Sequence, residues 1–245
     1  GGMATPLIAA NVVNNDPQML CLLAAVLAAV TFVVHFTTPM PGPKGGSGGG
    51  GVEIGELIAK PALWLFAGFL FLYVAAEIGV WNWLAQLLQS RGVDSKAAQN
   101  IVGSGFAFGI LVGRVVVSRI LIKVPASMVL LASAALMLVT TYVLLQTSDP
   151  SMAWGTVFAA GIAMAPVFPT TLGMVGDAFL KGTATAMGFV ITFGWVGLAV
   201  SSRVIGALGG NDPKQLATAL MVLPGASALM VVIMLVLRAI TPKRA

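Results

Sequence analysis

The chain has 245 residues, of which 58% are hydrophobic and only 9% are charged, and its mean hydropathy is +0.98. A soluble domain carries roughly a quarter charged residues, so this composition excludes an ordinary soluble protein. The net charge of +5 is not gathered into a basic patch interleaved with aromatic residues, so it does not indicate nucleic-acid binding.

The apolar residues fall in blocks of about 20, the length that a helix needs to cross roughly 30 Å of hydrocarbon. We therefore predict an all-α polytopic membrane protein with seven spans. The predicted spans are residues 19–38, 61–88, 98–121, 126–146, 153–175, 184–208 and 216–237.

The chain begins with a short apolar run at residues 6–13, followed by the turn-like residues 14–17. The run is too short to cross a bilayer. We interpret it as the last turns of a span whose beginning is absent, so that the chain is part of a longer protein.

A Gly/Pro-rich tract follows the first span at residues 39–51 and has the composition of a flexible tether. We predict a cytoplasmic linker at residues 39–60 that joins residues 1–38 to a helical bundle at residues 61–245. Near the end of this linker, a short amphipathic helix is predicted at residues 52–59, lying at the membrane interface. Its acidic residues Glu53 and Glu56 oppose Ile54, Leu57 and Ile58.

The basic residues indicate how the chain is oriented in the membrane. Cytoplasmic loops carry an excess of Lys and Arg, and one orientation places nine basic residues inside and four outside. The nine are Lys44, Lys60, Arg114, Arg119, Lys123, Lys181, Arg238, Lys243 and Arg244, and the four are Arg91, Lys96, Arg203 and Lys214. This orientation predicts a cytoplasmic C-terminus.

Glu77 lies near the middle of the second span, in a stretch with no other charge. A carboxylate at that depth costs several kcal/mol unless it faces a bundle interior or a wet cavity, so it marks a candidate transport or proton site. Tyr73 and Trp81 share its helix face, and Asn82 continues a polar line toward the end of the span. Aromatic rings with hydroxyl and amide groups suit sugars, although both rings fit packing or bilayer contact equally well.

The third span carries Gly105, Gly109 and Gly113, a small residue at every fourth position. This spacing predicts a seam where another helix approaches closely. Arg114 and Arg119 follow at the predicted cytoplasmic end. They suit either lipid headgroup contact or cytoplasmic gating through ion pairs with neighbouring helix ends.

The fifth span contains Pro166 and Pro169, which remove backbone donors and predict a kink. Kinked spans are common beside transport sites because neighbours or water satisfy the freed carbonyls. In the sixth span, Thr192 and Trp195 share a candidate substrate face. We expect Trp195 in the core or in a cavity, because its depth does not suit an interfacial belt.

These residues resemble the second six-helix half of the major facilitator superfamily, in particular its fucose permease branch of sugar/proton symporters. The resemblance rests on residues 72–79, on Gly113, Arg114, Ser118, Arg119, Lys123 and Pro125, and on residues 161–169. It implies a fold of twelve helices in two bundles joined by a cytoplasmic linker, with substrate bound between the bundles. Residues 1–38 would then be the end of helix five and helix six. Ser118 stands where the superfamily often has an acidic residue.

The sequence therefore predicts a secondary transporter in the inner (plasma) membrane that moves a small polar solute, favouring a sugar by proton symport. A drug or metabolite exporter is the alternative within this class, and a seven-helix receptor is the alternative from another class. Retinal attachment is disfavoured because the last span has no lysine. No enzyme activity, metal or cofactor is indicated, since His, Cys and carboxylates do not cluster at ligand spacing. The predicted partners are the solute with a proton, the bilayer and a missing N-terminal bundle.

Overall fold

A computed structural model describes residues 16–38, 54–209 and 212–240 of the chain. Within these residues, seven helices or helix pairs are long and apolar enough to cross a membrane. The prediction of an all-α polytopic membrane protein is confirmed. The chain divides into two compact units, residues 1–51 and residues 52–245. Glu53, Lys44, Lys243, Arg244 and most of the predicted linker lie outside the described residues.

The first unit contributes one described helix, Pro17–Thr37, which forms the first span. The helix is apolar on all sides, which suits contact with lipid or with further helices.

The second unit holds the other six spans. The second is Pro61–Ser90 and the third joins Ser95–Asn100, a π-helical segment Ile101–Phe106 and Ala107–Ile120. The fourth is Ala126–Gln146, and the fifth joins Pro150–Met164 to Val167–Ala178. The sixth is Thr183–Gly209, and the seventh joins Pro213–Ala219 to Val222–Ile240.

The helix ends depart from the predicted ends by up to three residues. Differences of three residues occur in the third, fifth and seventh spans, and the third and fifth begin at Ser95 and Pro150. Both starts follow an aspartate whose side chain accepts hydrogen bonds from the first free backbone N–H groups, Asp94 in one case and Asp149 in the other. Because an N-cap satisfies the first backbone N–H groups, the helix can begin several residues before the apolar block from which its start was predicted.

The second span is the centre of the bundle and packs against the sixth and seventh spans along its length. Phe66, Phe69 and Leu84 are almost completely buried there. The third span packs against the fifth, and the fourth packs between the fifth and the seventh. Two contacts identify the ends of the bundle. Lys60 lies over the Phe179 ring at one end, and the Arg91 guanidinium donates to the Thr147 carbonyl at the other. We call these the Lys60 end and the Arg91 end.

The predicted amphipathic helix is present as Ile54–Ile58. Leu57 is buried, whereas Ile54 and Ile58 are exposed. The Trp64 indole donates a hydrogen bond to the Ile58 carbonyl at 2.9 Å. This helix is therefore fastened to the start of the second span by one apolar side chain and one hydrogen bond.

Candidate functional site

Two of the acidic residues lie within the spans, have no role in capping a helix and are therefore candidates for a functional site. The chain has eight Asp and Glu residues. Four aspartates cap helix N-termini: Asp16, Asp94, Asp149 and Asp212. Glu53 and Glu56 belong to the region of the short helix before the second span. Glu77 and Asp177 remain, and neither caps a helix.

Glu77 lies midway along the second span and is partly exposed at the bundle surface. It interacts with the Tyr73 hydroxyl and the Trp81 indole on its own helix face, and with the Arg114 guanidinium of the third span by electrostatic attraction. Tyr73 is buried, and the charges of Glu77 and Arg114 both act on its hydroxyl. The structure thus places the predicted residues Tyr73, Glu77 and Trp81 on one face of the second span, where the charge of Arg114 from the third span acts on Glu77.

Trp81 is held by the irregular part of the third span. Its ring meets the buried ring of Phe106 edge to face, with centroids 5.0 Å apart and planes at 75°. Phe106 ends the π-helical segment, in which Ser104 donates its hydroxyl hydrogen bond back to the Asn100 carbonyl. Short π-helical turns are rare and recur at functional sites. Sequence reasoning predicted the span but not this turn, because its hydropathy is that of an ordinary helix.

Asn82 connects the second span to the sixth. Its amide donates a hydrogen bond to the Ser202 hydroxyl at 3.0 Å, and the neighbouring Ser201 donates to the Ala75 carbonyl of the second span at 2.7 Å. Gly197 lies so close to Phe71 that any side chain at this position would overlap the Phe71 carbonyl. The two helices therefore touch along a line of small residues.

Thr192 and Trp195 lie on the exposed surface of the sixth span, apart from the face of the second span that carries Glu77. The Thr192 hydroxyl donates to the Gly188 carbonyl of its own helix at 2.8 Å. Trp195 is 62% exposed, so the expectation that it lies in the core is wrong for this bundle. Neither residue has a hydrogen bond or ring contact with the second span in the described part of the chain.

The predicted glycine seam lies against the fifth span. A Cβ at Gly109 would overlap the Phe158 carbonyl, and one at Gly113 would lie 2.6 Å from the Ala165 Cβ. Gly105 faces Trp154 at ordinary contact distance. The fifth span breaks at Ala165 and Pro166, while Pro169 lies in the first turn of the helix that follows.

A cavity of about 470 Å³ opens beside this break, between the third and fifth spans and the start of the fourth. Arg114, Ser118 and Asp177 contribute charged and polar groups to its wall, and Arg119 does not line it. Both arginines are exposed. Asp177 was missed by sequence reasoning because the apolar block ends at Val175, whereas the helix continues to Ala178.

Seven apolar helical spans define the chain as a polytopic all-α membrane protein. No family model matches it. It is similar to the glucose/mannose transporter GlcP of Bacillus subtilis, with 26% identity over 153 residues, covering 62% of this chain and 38% of that protein. It is also similar to the Bypass of stop codon protein 6 of Saccharomyces cerevisiae, with 36% identity over 59 residues, covering 24% and 12%. The chain thus spans well under half the length of these relatives.

Proposed function

We propose that this chain is part of a secondary active transporter for a small polar solute, with a sugar moved by proton symport as the favoured activity. The observation that carries the proposal is Glu77, a partly exposed carboxylate in mid-span with a tyrosine, a tryptophan and an arginine around it. Intramembrane acids in such settings mark substrate or proton pathways. The similarity to a transporter named for glucose and mannose supports the choice of a sugar.

The substrate would bind against Tyr73, Trp81 and Asn82, with Thr192 and Trp195 contributing from the sixth span. Trp81 offers a ring edge held by Phe106, and Asn82 keeps its carbonyl oxygen available after donating to Ser202. The exposed position of Trp195 suits a residue that meets substrate from the surface of the bundle. Glu77 would hydrogen-bond the solute or carry the coupled proton.

Alternating access needs a second bundle, since one bundle must rock against another. In this proposal residues 61–245 are the C-terminal six-helix bundle, residues 1–38 end the N-terminal bundle, and residues 39–60 link the two. The protein would lie in the plasma membrane with the Lys60 end in the cytoplasm. Arg114 and Arg119 would then act at the cytoplasmic gate.

The test is uptake of labelled sugars into proteoliposomes that contain the full-length protein, beside a Glu77→Gln variant. Glutamine keeps the shape and one hydrogen-bond acceptor of Glu77 but cannot exchange a proton. We expect gradient-driven uptake to fall by about 10²-fold or more in the variant, the scale on which a positioned proton-transfer group acts.

The control is Glu56→Gln, which removes an exposed carboxylate outside the spans and should leave uptake unchanged. Counterflow exchange without a proton gradient separates the two roles of Glu77, because a pure coupling residue leaves counterflow intact. Absence of uptake for every sugar by folded protein would contradict sugar transport. Transport of cationic drugs by the same vesicles would instead indicate that the protein is a drug exporter.

A further inference from the structure

We infer that the cavity beside the proline break is a binding site for a small amphiphilic carboxylate, which adjoins the solute site around Glu77 and shares Arg114 with it. Its volume of about 470 Å³ falls within the range of small-molecule sites. Eight of its lining residues offer no polar side-chain group: Val117, Leu121, Ala126, Ala165, Pro166, Pro169, Gly173 and Met174. No aromatic ring lines it, so it lacks the stacking surface that suits a sugar.

The cavity contains a hydroxyl that the protein leaves without a partner. Thr170 is 7% exposed and lines the cavity, yet its hydroxyl makes no hydrogen bond to the described residues. Its neighbour Thr171 shows the usual alternative, donating to the Val167 carbonyl at 2.6 Å. The Thr170 hydroxyl is open to the cavity, where a ligand can accept its hydrogen bond.

The cavity wall carries one basic and one acidic side chain, Arg114 and Asp177, and an anion would bind on the Arg114 side. Arg114 lines the same cavity, and it and Thr170 lie at comparable distances from the Lys60 ends of their helices. A guanidinium and a hydroxyl together suit an oxyanion, because guanidinium groups bind carboxylates through paired N–H donors. Asp177 lies two turns beyond Thr170, about 10 Å along the helix at 1.5 Å per residue. An anion beside Thr170 is therefore well separated from this carboxylate.

The polar pair of Arg114 and Thr170 and the apolar remainder of the cavity wall together determine which ligand fits. A carboxylate would accept from Arg114 and Thr170, and an apolar body would fill the remainder of the cavity toward Leu121 and Ala126. A medium-chain fatty acid has this form. Because Arg114 also acts on Glu77, a bound carboxylate would weaken the attraction between them. That regulatory consequence depends on the proposed transport function, whereas the binding does not.

The experiment uses photoreactive decanoate, carrying a diazirine on its chain, with the full-length protein in phosphatidylcholine nanodiscs. Gly173→Leu fills the cavity, because a Cβ at Gly173 meets no atom within 4 Å. Gly155→Leu is the matched control, since it is equally open and lies in the same span but does not line the cavity. Thr170→Val removes the hydroxyl and keeps the shape.

We expect crosslinks in peptides containing residues 114–126 and 166–177. The yield should fall about tenfold in Thr170→Val, as for loss of a hydrogen bond to a charged group, and at least as much in Gly173→Leu. It should be unchanged in Gly155→Leu, and a decanol probe of equal length should label about tenfold less. Equal labelling of Gly173→Leu and wild type would overturn the site, and equal labelling by decanol would overturn recognition of the carboxylate. Neither result depends on whether sugar is transported.

Discussion

Arg91 shows how one side chain can join two loops of a membrane bundle. It follows the last residue of the second span, and Gly92 adopts a left-handed conformation with φ of 88° that ends the helix. The Arg91 guanidinium then donates to the carbonyls of Leu145 and Thr147 at the end of the fourth span. Burial lowers the pKa of Arg91, but a guanidinium stays protonated in proteins, so both bonds keep their charge.

We predict that Arg91→Met lowers the thermal stability of the protein. Hydrogen bonds from a charged donor contribute about 1.5 to 3 kcal/mol, and two carbonyls lose their partner together. For a domain of this size, that corresponds to a fall in Tm of about 3 to 12 °C. Thermal unfolding in detergent, followed by size-exclusion chromatography, measures it.

The matched control for this prediction is Arg203→Met. Arg203 lies near the same end of the bundle and is exposed, with no hydrogen bond in the described part of the chain. Its replacement should change Tm by about 1 °C or less. A similar loss of stability in both variants would mean that net charge, and not the bonds to the fourth span, accounts for the effect.

At the scale of helices, the third and fifth spans meet backbone to backbone. Lipid tails are as apolar as leucine, so helices in a membrane gain little from apolar burial and depend on close fit. Gly109 and Gly161 supply that fit, since a Cβ at Gly161 would lie 2.5 Å from the Phe106 carbonyl. The seam ends where the fifth span breaks, and the cavity begins there.

We predict that Gly109→Val separates these two spans and destabilises the bundle by about 3 kcal/mol or more, because rigid backbone atoms block the new side chain. The yield of monodisperse protein and its Tm would report the change. Gly155→Val is the comparison, since it adds the same side chain to the facing span where there is open space. Equal tolerance of both substitutions would show that the seam can adapt.

The helices also show what the sequence could and could not predict. The number of spans followed from hydropathy, because only apolar blocks of this length can cross a membrane. The glycine spacing indicated a seam, but only the structure identifies the fifth span as its partner. The cavity and the free hydroxyl of Thr170 depend on how the chain resumes its helix after Pro166, which side-chain periodicity does not record.

At the scale of the whole molecule, the orientation in the membrane stays a prediction with a direct test. Cys21 is the single cysteine of this chain, so Cys21→Ala, together with replacement of any cysteine elsewhere in the full-length protein, gives a background free of thiols. On this background, Lys123→Cys and Lys96→Cys place one exposed thiol at the Lys60 end and one at the Arg91 end. We expect a membrane-impermeant maleimide added to intact cells to label Lys96→Cys and to spare Lys123→Cys until the cells are opened.

The reverse labelling pattern would contradict the orientation inferred from the basic residues. It would also move Arg114, Arg119 and the adjoining cavity to the outer face. Labelling of both thiols in intact cells would show that the cells leak, which a cytoplasmic marker protein with a known thiol detects independently.

Side-chain hydrogen bonds join different spans in the half of the bundle toward the Arg91 end. Those from Asn82, Ser201 and Arg91 all lie between mid-span and the Arg91 end. Most other hydroxyls in the spans, such as those of Thr140 and Ser227, bond to their own helices. These bonds fasten the second span to the fourth and sixth spans over its half toward the Arg91 end, so lateral pressure from the surrounding lipid will separate these three spans less readily in that half.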